Sequence, residues 1–326
     1  MTGARYEAQV GAALRAVQLR APDAFLWFGR REALRGGDEG DPRERLVQAV
    51  AQRLHADFFG GGVPRPRRDG AVAAAGDGGA FVAALSQANA GRGAWEAGWR
   101  VVSGSNADDA LSVARPGGLV LLAPAEQVRG EGGLTAGAAV SVLLPKELRG
   151  LSPGVYVALG DSGTPPADDR ADLYWNIAAA GAITLVARVT YELNGAGLPF
   201  SLALRDNPAR LGRGDGAILT VARAHGAAAI KLVRPLLRTL AAHVAEPAPA
   251  FTKPLARGLA VAESPTDGRR FGEHRCRLLA EALVVADEAG ARGLHERVAT
   301  VRERFAAAGL RLDAPYLQPG ADDAYS

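Results

Sequence analysis

Three features of the sequence predict an α+β fold, with a helical N-terminal part followed by a mainly antiparallel sheet flanked by helices. Apolar residues recur at helical spacing through the first 59 residues. From about Trp99 the pattern changes to short apolar runs bounded by Gly and Pro, as antiparallel strands require. Two long amphipathic stretches then follow near the end of the chain. The expected organisation is a helical region at 1–95, an α+β domain at 96–312 and a flexible tail at 313–326.

In order, Val10, Leu14 and Val17 predict a helix over 5–20. Leu46, Val50 and Leu54 predict a second over 42–59, after the turn GGDEGD. Residues 60–79 are rich in Gly, Pro and Arg and predict an exposed loop, and 81–90 predict a third helix. WRVVS, GLVLLA, AAVSVLL and GVYVALG predict strands, and YWN (174–176) is set at a strand start. Ile183, Val186, Val189 and Leu193 form one stripe of a helix that stops at Gly195 and Gly197, with Pro199 beyond. Phe200, Leu202 and Leu204 alternate in a half-buried strand, with AILTVA (217–222) as its partner across DNPARLGRGD. A long helix is predicted over 224–243, with Ile230, Val233, Leu237 and Leu240 facing the core and Pro235 inside it as a kink. A short strand over 257–263 and two helices, FGEHRCRLLAEALVVADEAG and GLHERVATVRERFAAAG, complete the prediction.

Composition narrows the function classes. With 326 residues, 48% of them hydrophobic, a large core is expected. Lys+Arg is 38 against 35 for Asp+Glu, a balance too even for general binding to nucleic acid or to a membrane surface. A single cysteine leaves no intramolecular disulfide and no Cys-based zinc site. The N-terminus lacks a secretory apolar core, so a cytoplasmic protein is expected, with no nucleic-acid or membrane partner. There is no P-loop, no H-E-x-x-H and no Rossmann glycine fingerprint.

Chemistry concentrates in 250–283. Basic residues are nearly all arginine, the lysines being Lys146, Lys231 and Lys253. Lys253 precedes Pro254, which favours an extended backbone, so it either points inward or lies in an exposed Pro-rich linker. His274 and Arg275 fall in the first turn of a predicted helix, just after Arg269 and Arg270, where free N–H groups favour a bound phosphate. Arg210 and Arg213 lie in the hairpin loop, and Arg257 just before a strand. Cys276 sits on a helix face and is expected in the core. His55, His225, His243 and His295 have no metal-ligand spacing, and no metal or cofactor is expected.

The segments DLYWNIAAAGAITLVARVTYELNGAGLPFSLALRDNPARLGRGDGAILTV and PAFTKPLARGLAVAESPTDGRRFGEHRCRLLAEAL, with FVAALSQANAGRGAWEAGWRVV upstream, resemble the HopA-like type III effector family. That family includes plant-pathogen effectors and proteins encoded beside precursors of class V lanthipeptides and thioamitides. In those pathways the resemblance implies a lyase partner to a kinase-like phosphotransferase. The kinase phosphorylates Ser or Thr of a precursor peptide, and the lyase eliminates phosphate to leave dehydroalanine or dehydrobutyrine. An Arg-rich chain without effector-like N-terminal disorder is closer to the biosynthetic branch.

β-Elimination takes a Cα proton, stabilises enolate-like charge and neutralises the departing phosphate, and it needs no metal or organic cofactor. On that expectation Lys253 is the base, its pKa lowered by neighbouring arginines, and His274 is the acid. Arg210, Arg213, Arg257, Arg269, Arg270 and Arg275 supply the phosphate clamp, and Tyr174 and Asn176 hold the peptide. The expected partners are a phosphorylated precursor peptide and the kinase. The alternatives are a non-catalytic phosphopeptide- or precursor-binding partner of the kinase, or an effector that binds a host protein.

Overall fold

A computed structural model describes residues 2–20, 24–34, 41–66, 78–104, 110–115, 120–131, 133–149 and 153–325. The predicted α+β architecture is present. Helix α1 (Thr2–Ala16) is followed by a small antiparallel sheet of β1 (Val17–Arg20), β2 (Ala24–Trp27) and β3 (Arg30–Ala33). The predicted first helix therefore stops at Ala16. Val17 is β-branched, and the run from Val17 turns its buried side chains toward Phe25 and Trp27 instead of continuing the helix. In α2 (Pro42–Asp57) the Asp41 side chain accepts the Arg43 N–H at 3.0 Å, and Pro42 occupies the first turn, where no N–H is needed. Leu46, Val47, Val50 and Leu54 form its buried stripe. Helix α3 (Gly78–Ala88) follows.

Five strands make a second sheet: β4 (Ala94–Gly104), β5 (Ala110–Ala114), β6 (Val120–Pro124), β7 (Val128–Arg129) and β8 (Ala139–Leu144). Its buried face has its own core around Trp99, Val101, Val113, Val140 and Val142.

The main sheet has seven antiparallel strands. They are β9 (Glu147–Arg149), β10 (Val155–Leu159), β11 (Arg170–Trp175), β12 (Phe200–Arg205), β13 (Ala217–Ala222), β14 (Lys253–Ala256) and β15 (Leu259–Glu263), in the order β14-β15-β11-β13-β12-β10-β9. The predicted pairing of PFSLALR with AILTVA holds, with Phe200 opposite Val221 and Leu202 opposite Leu219. Tyr174 and Trp175 end β11 rather than begin a strand. Helix α4 (Ala179–Gly195) buries Leu185, Val186, Val189 and Leu193, while Ile183 of the predicted stripe stays more than a third exposed. Pro235 splits the predicted long helix into α5 (Gly226–Val233) and α6 (Leu236–Thr239), because its ring cannot continue an α-helical backbone. Helices α7 (Phe271–Glu288) and α8 (Leu294–Ala307) complete the fold, with α7 lying along α2.

Residues 313–325, expected as a loose tail, form irregular backbone with Tyr316, Leu317 and Tyr325 buried. Glu263 anchors them. Its N–H donates to Tyr316 O at 2.8 Å, and its carboxylate accepts from Gln318 N at 2.7 Å and Tyr325 Oη at 3.0 Å. A buried carboxylate met by donors on both oxygens has its desolvation cost offset.

Candidate functional site

Strand β11 reads Arg170-Ala171-Asp172-Leu173-Tyr174-Trp175, and alternation divides it between two faces. Ala171, Leu173 and Trp175 turn to one side, and Arg170, Asp172 and Tyr174 to the other, where they line a cleft of about 280 Å³. Neighbouring strands add Arg205 from β12 and Ile218 and Thr220 from β13. The loop after β15 closes one side with Ser264, Arg269 and Arg270, and Asp215 stands at the end of the hairpin loop. Four arginines therefore surround this cleft.

Asp172 is buried on the floor. It accepts Thr220 Oγ1 at 2.7 Å on one oxygen and Ser264 Oγ on the other, with the Tyr174 phenol 3.5 Å away. Burial first, and then the Asp172 charge, push the Tyr174 phenol well above its ordinary pKa, so it stays a proton donor. Tyr174 packs edge-on against Phe59 and tilted against Phe271 of α7. Asp215 is different. Burial opposes its ionisation, but Arg213 at 3.1 Å and Arg205 at 3.4 Å outweigh that and hold it below the usual carboxylate range. Gly60 lies against this group. A methyl there would sit 2.3 Å from Asp215 Oδ1, so only glycine lets the chain after α2 pass.

Of the residues expected from sequence, Tyr174, Arg269 and Arg270 line the cleft. Arg213 is at its rim, bound to Asp215 and to Ala56 O at 3.1 Å. Arg210 is exposed in the hairpin loop and Arg257 in the β14–β15 turn, and neither lines the cleft. Asn176 is buried away from the cleft and donates to Pro247 O at 3.0 Å. Arg275 is fully buried, donating to Pro315 O at 2.8 Å, Leu317 O at 3.0 Å and His274 Nδ1 at 2.7 Å, with Phe271 beneath it. Its guanidinium is committed to the C-terminal segment, so the structure does not bring it to the clamp. Burial lowers its pKa to about 10, which leaves it charged at neutral pH.

Lys253 is not at the cleft either. It stands opposite Val261 on β15, which stands opposite Leu173 on β11, so alternation assigns it to the face away from Asp172 and Tyr174. Its ammonium lies 2.6 Å from Asp323 and over the Tyr316 ring.

His274 lines an adjoining cavity of about 420 Å³, which shares Arg170 and Ser264 with the cleft. Because Arg275 donates to Nδ1, the ring proton is on Nε2, which faces Asp267 at 3.9 Å. Burial, then the Arg275 charge, lower its pKa to about 4. At neutral pH it is an uncharged hydrogen-bond donor rather than a cationic acid. Cys276 is buried, as expected, and burial raises its thiol pKa.

Sequence reasoning missed Arg170, Asp172, Arg205, Thr220 and Ser264. The signal was present in β11: polar residues at every second place in an otherwise apolar strand mark a functional face. Among the described residues no cluster of His, Cys, Asp or Glu has the geometry to hold a metal, and no helix is long and apolar enough to cross a membrane.

Residues 148–317, which carry the main sheet and the cleft, match the HopA1 effector protein family. The chain belongs to that family. The effector protein from Pseudomonas syringae pv. tomato strain DC3000 has a similar structure, with TM-score 0.53 and 16% identity over 97% of this chain and 98% of that one. The effector protein from Pseudomonas syringae pv. syringae strain 61 gives TM-score 0.45 and 16% identity over 83% of this chain and 95% of that one. At such identity the first likeness establishes a shared HopA1-type fold. No curated protein matches the chain in sequence.

Proposed function

We propose that this protein is a phosphoserine/phosphothreonine lyase acting on a kinase-phosphorylated precursor peptide. The observation that carries the reading is the cleft, where Arg170, Arg205, Arg269 and Arg270 surround the Asp172–Tyr174 pair. A phosphate ester carries about −1.5 to −2 charges at neutral pH, and planar guanidinium groups match its oxygens in pairs. Arg269 and Arg270, at the start of α7, add the positive end of an eighteen-residue helix.

In this reading the phosphate sits among the arginines. Asp172, the cleft carboxylate that no arginine grips among the described residues, takes the Cα proton. The electron pair of that C–H bond becomes the Cα–Cβ double bond, and the Cβ–O bond breaks with its pair leaving on phosphate. The neutral Tyr174 phenol donates a hydrogen bond to the negative charge that develops. The products are a dehydroamino acid and inorganic phosphate. The reaction that supplies the substrate is phosphoryl transfer to a Ser or Thr hydroxyl, the chemistry of a kinase-like partner.

One observation favours a second reading, a phosphopeptide-binding module without chemistry: no lysine lines the cleft. Incubation with a phosphothreonine peptide, followed by mass spectrometry, separates the two. The lyase converts it with loss of phosphoric acid, leaves the unphosphorylated peptide unchanged, and loses affinity for phosphopeptide about tenfold or more in Arg270→Ala, with partial recovery in Arg270→Lys. Tight binding with no mass loss leaves the binding module.

A further inference from the structure

Further cavities adjoin the cleft. Its neighbour shares Arg170 and Ser264 with it, and that cavity shares Asp169, Arg223 and Pro319 with a third, of about 440 Å³. The third shares Ala324 with a fourth, of about 670 Å³, formed on α5 and α6. Here the exposed side chains of Lys231, Arg234 and Arg238 stand around an apolar floor that includes Ile230 and Pro235. Lys231 and Arg238 have no carboxylate partner among the described residues. Lys231 is notable in a chain that otherwise uses arginine almost throughout.

We propose that these four cavities form one groove for an extended peptide, and that its far end binds acidic residues of the same peptide whose phosphorylated residue enters the arginine cleft. The inference rests on the phosphopeptide reading of the cleft and names the specificity determinant of that substrate. Positive charge at both ends fits a chain carrying a phosphate at one point and carboxylates at another. The apolar floor suits the side-chain stems of a peptide, and the cavity volume exceeds what a lone inorganic anion fills. Charge at an exposed rim acts on affinity and encounter rate and leaves the chemical step alone.

The test uses the full chain and two families of synthetic phosphothreonine peptides. They differ only in a run of glutamates or glutamines, placed on either side of the phosphoresidue at a series of spacings. Fluorescence anisotropy reads binding, including that of the unphosphorylated acidic peptide, and mass spectrometry reads phosphate loss. The wild-type protein binds the best-spaced glutamate peptide about tenfold more tightly than its glutamine twin. Lys231→Glu with Arg238→Glu abolishes that preference, raising KM for the glutamate peptide and leaving kcat on the glutamine peptide unchanged. Both residues are exposed, and Lys231→Gln with Arg238→Gln gives a milder version should charge reversal disturb folding. Equal affinity for the two peptide families at every spacing overturns the proposal whether or not phosphate is eliminated. A glutamate preference, lost in the double variant, in a protein that eliminates no phosphate upholds the groove and removes the lyase reading alone.

Discussion

Lys253 Nζ lies 2.6 Å from Asp323 Oδ2, and strand register sets this pair on the opposite face of the main sheet from Asp172. The lysine therefore ties the C-terminal segment to an edge strand. Arg preserves such a pair. Lys253→Arg is expected to eliminate phosphate within about twofold of the wild-type rate, and Lys253→Ala to lose about 0.5–1 kcal/mol of stability as a partly exposed pair does. A folded Lys253→Arg protein without activity returns the base to this amine, because guanidinium cannot give up its proton.

Asp172→Asn keeps the volume and one hydrogen-bond acceptor but removes the charge. A positioned base contributes about 10²–10⁴-fold to rate. Single-turnover mass spectrometry should show a loss in that range, while anisotropy shows phosphopeptide binding kept or tightened, since a negative charge has left an anion site. Undiminished elimination by Asp172→Asn excludes it as the base.

Arg275 holds Pro315 O and Leu317 O from within the core. Arg275→Met leaves these carbonyls without their donor and is expected to cost about 3 kcal/mol in thermal unfolding. It should raise hydrogen exchange across 313–325 and leave phosphate affinity unchanged. A loss of phosphate affinity at unchanged stability puts Arg275 back in the clamp.

His274 supplies a pH test. Its pKa falls from the ordinary 6.5 to about 4 on folding, so between those values the unfolded chain binds more protons than the native protein. The stability that neutral His274 contributes is fully present above about pH 6.5 and is lost as the pH falls toward 4. Melting temperature measured from pH 7 to 4 should fall less steeply in His274→Gln, by the equivalent of about 1–2 kcal/mol after allowance for its partial exposure. Equal slopes mean that His274 titrates alike in both states.

Much of the fold is legible in local pattern. The period of α4 and the alternation of β12 and β13 are decided by neighbours along the chain, and each produced the expected element, whereas Pro235 divided the long helix expected over 224–243 into two short ones. Tyr174, Arg269 and Arg270 line one cleft because β11 ends and α7 begins beside one another. The β1–β3 sheet was not legible, since its runs of four residues are too short to separate from a helix by periodicity.

Residue type and spacing determined that this chain holds an α+β core, an arginine-rich start to α7 and a buried cysteine. Which arginines meet in one cleft was decided by tertiary structure. Arg170, Arg205 and Arg270 are far apart in sequence, and they share a cavity because β11 and β12 flank β13 and α7 starts over β11, with Phe271 against Tyr174. Arg275, five residues from Arg270, faces inward because a helix turns its side chains by about 100° per residue, and there its guanidinium meets the Pro315 and Leu317 carbonyls of the C-terminal segment. Lys253 was decided in the same way. Strand alternation chooses between two faces, and that choice depends on a hydrogen-bonding partner eight residues further along the chain, Val261, which local sequence does not name.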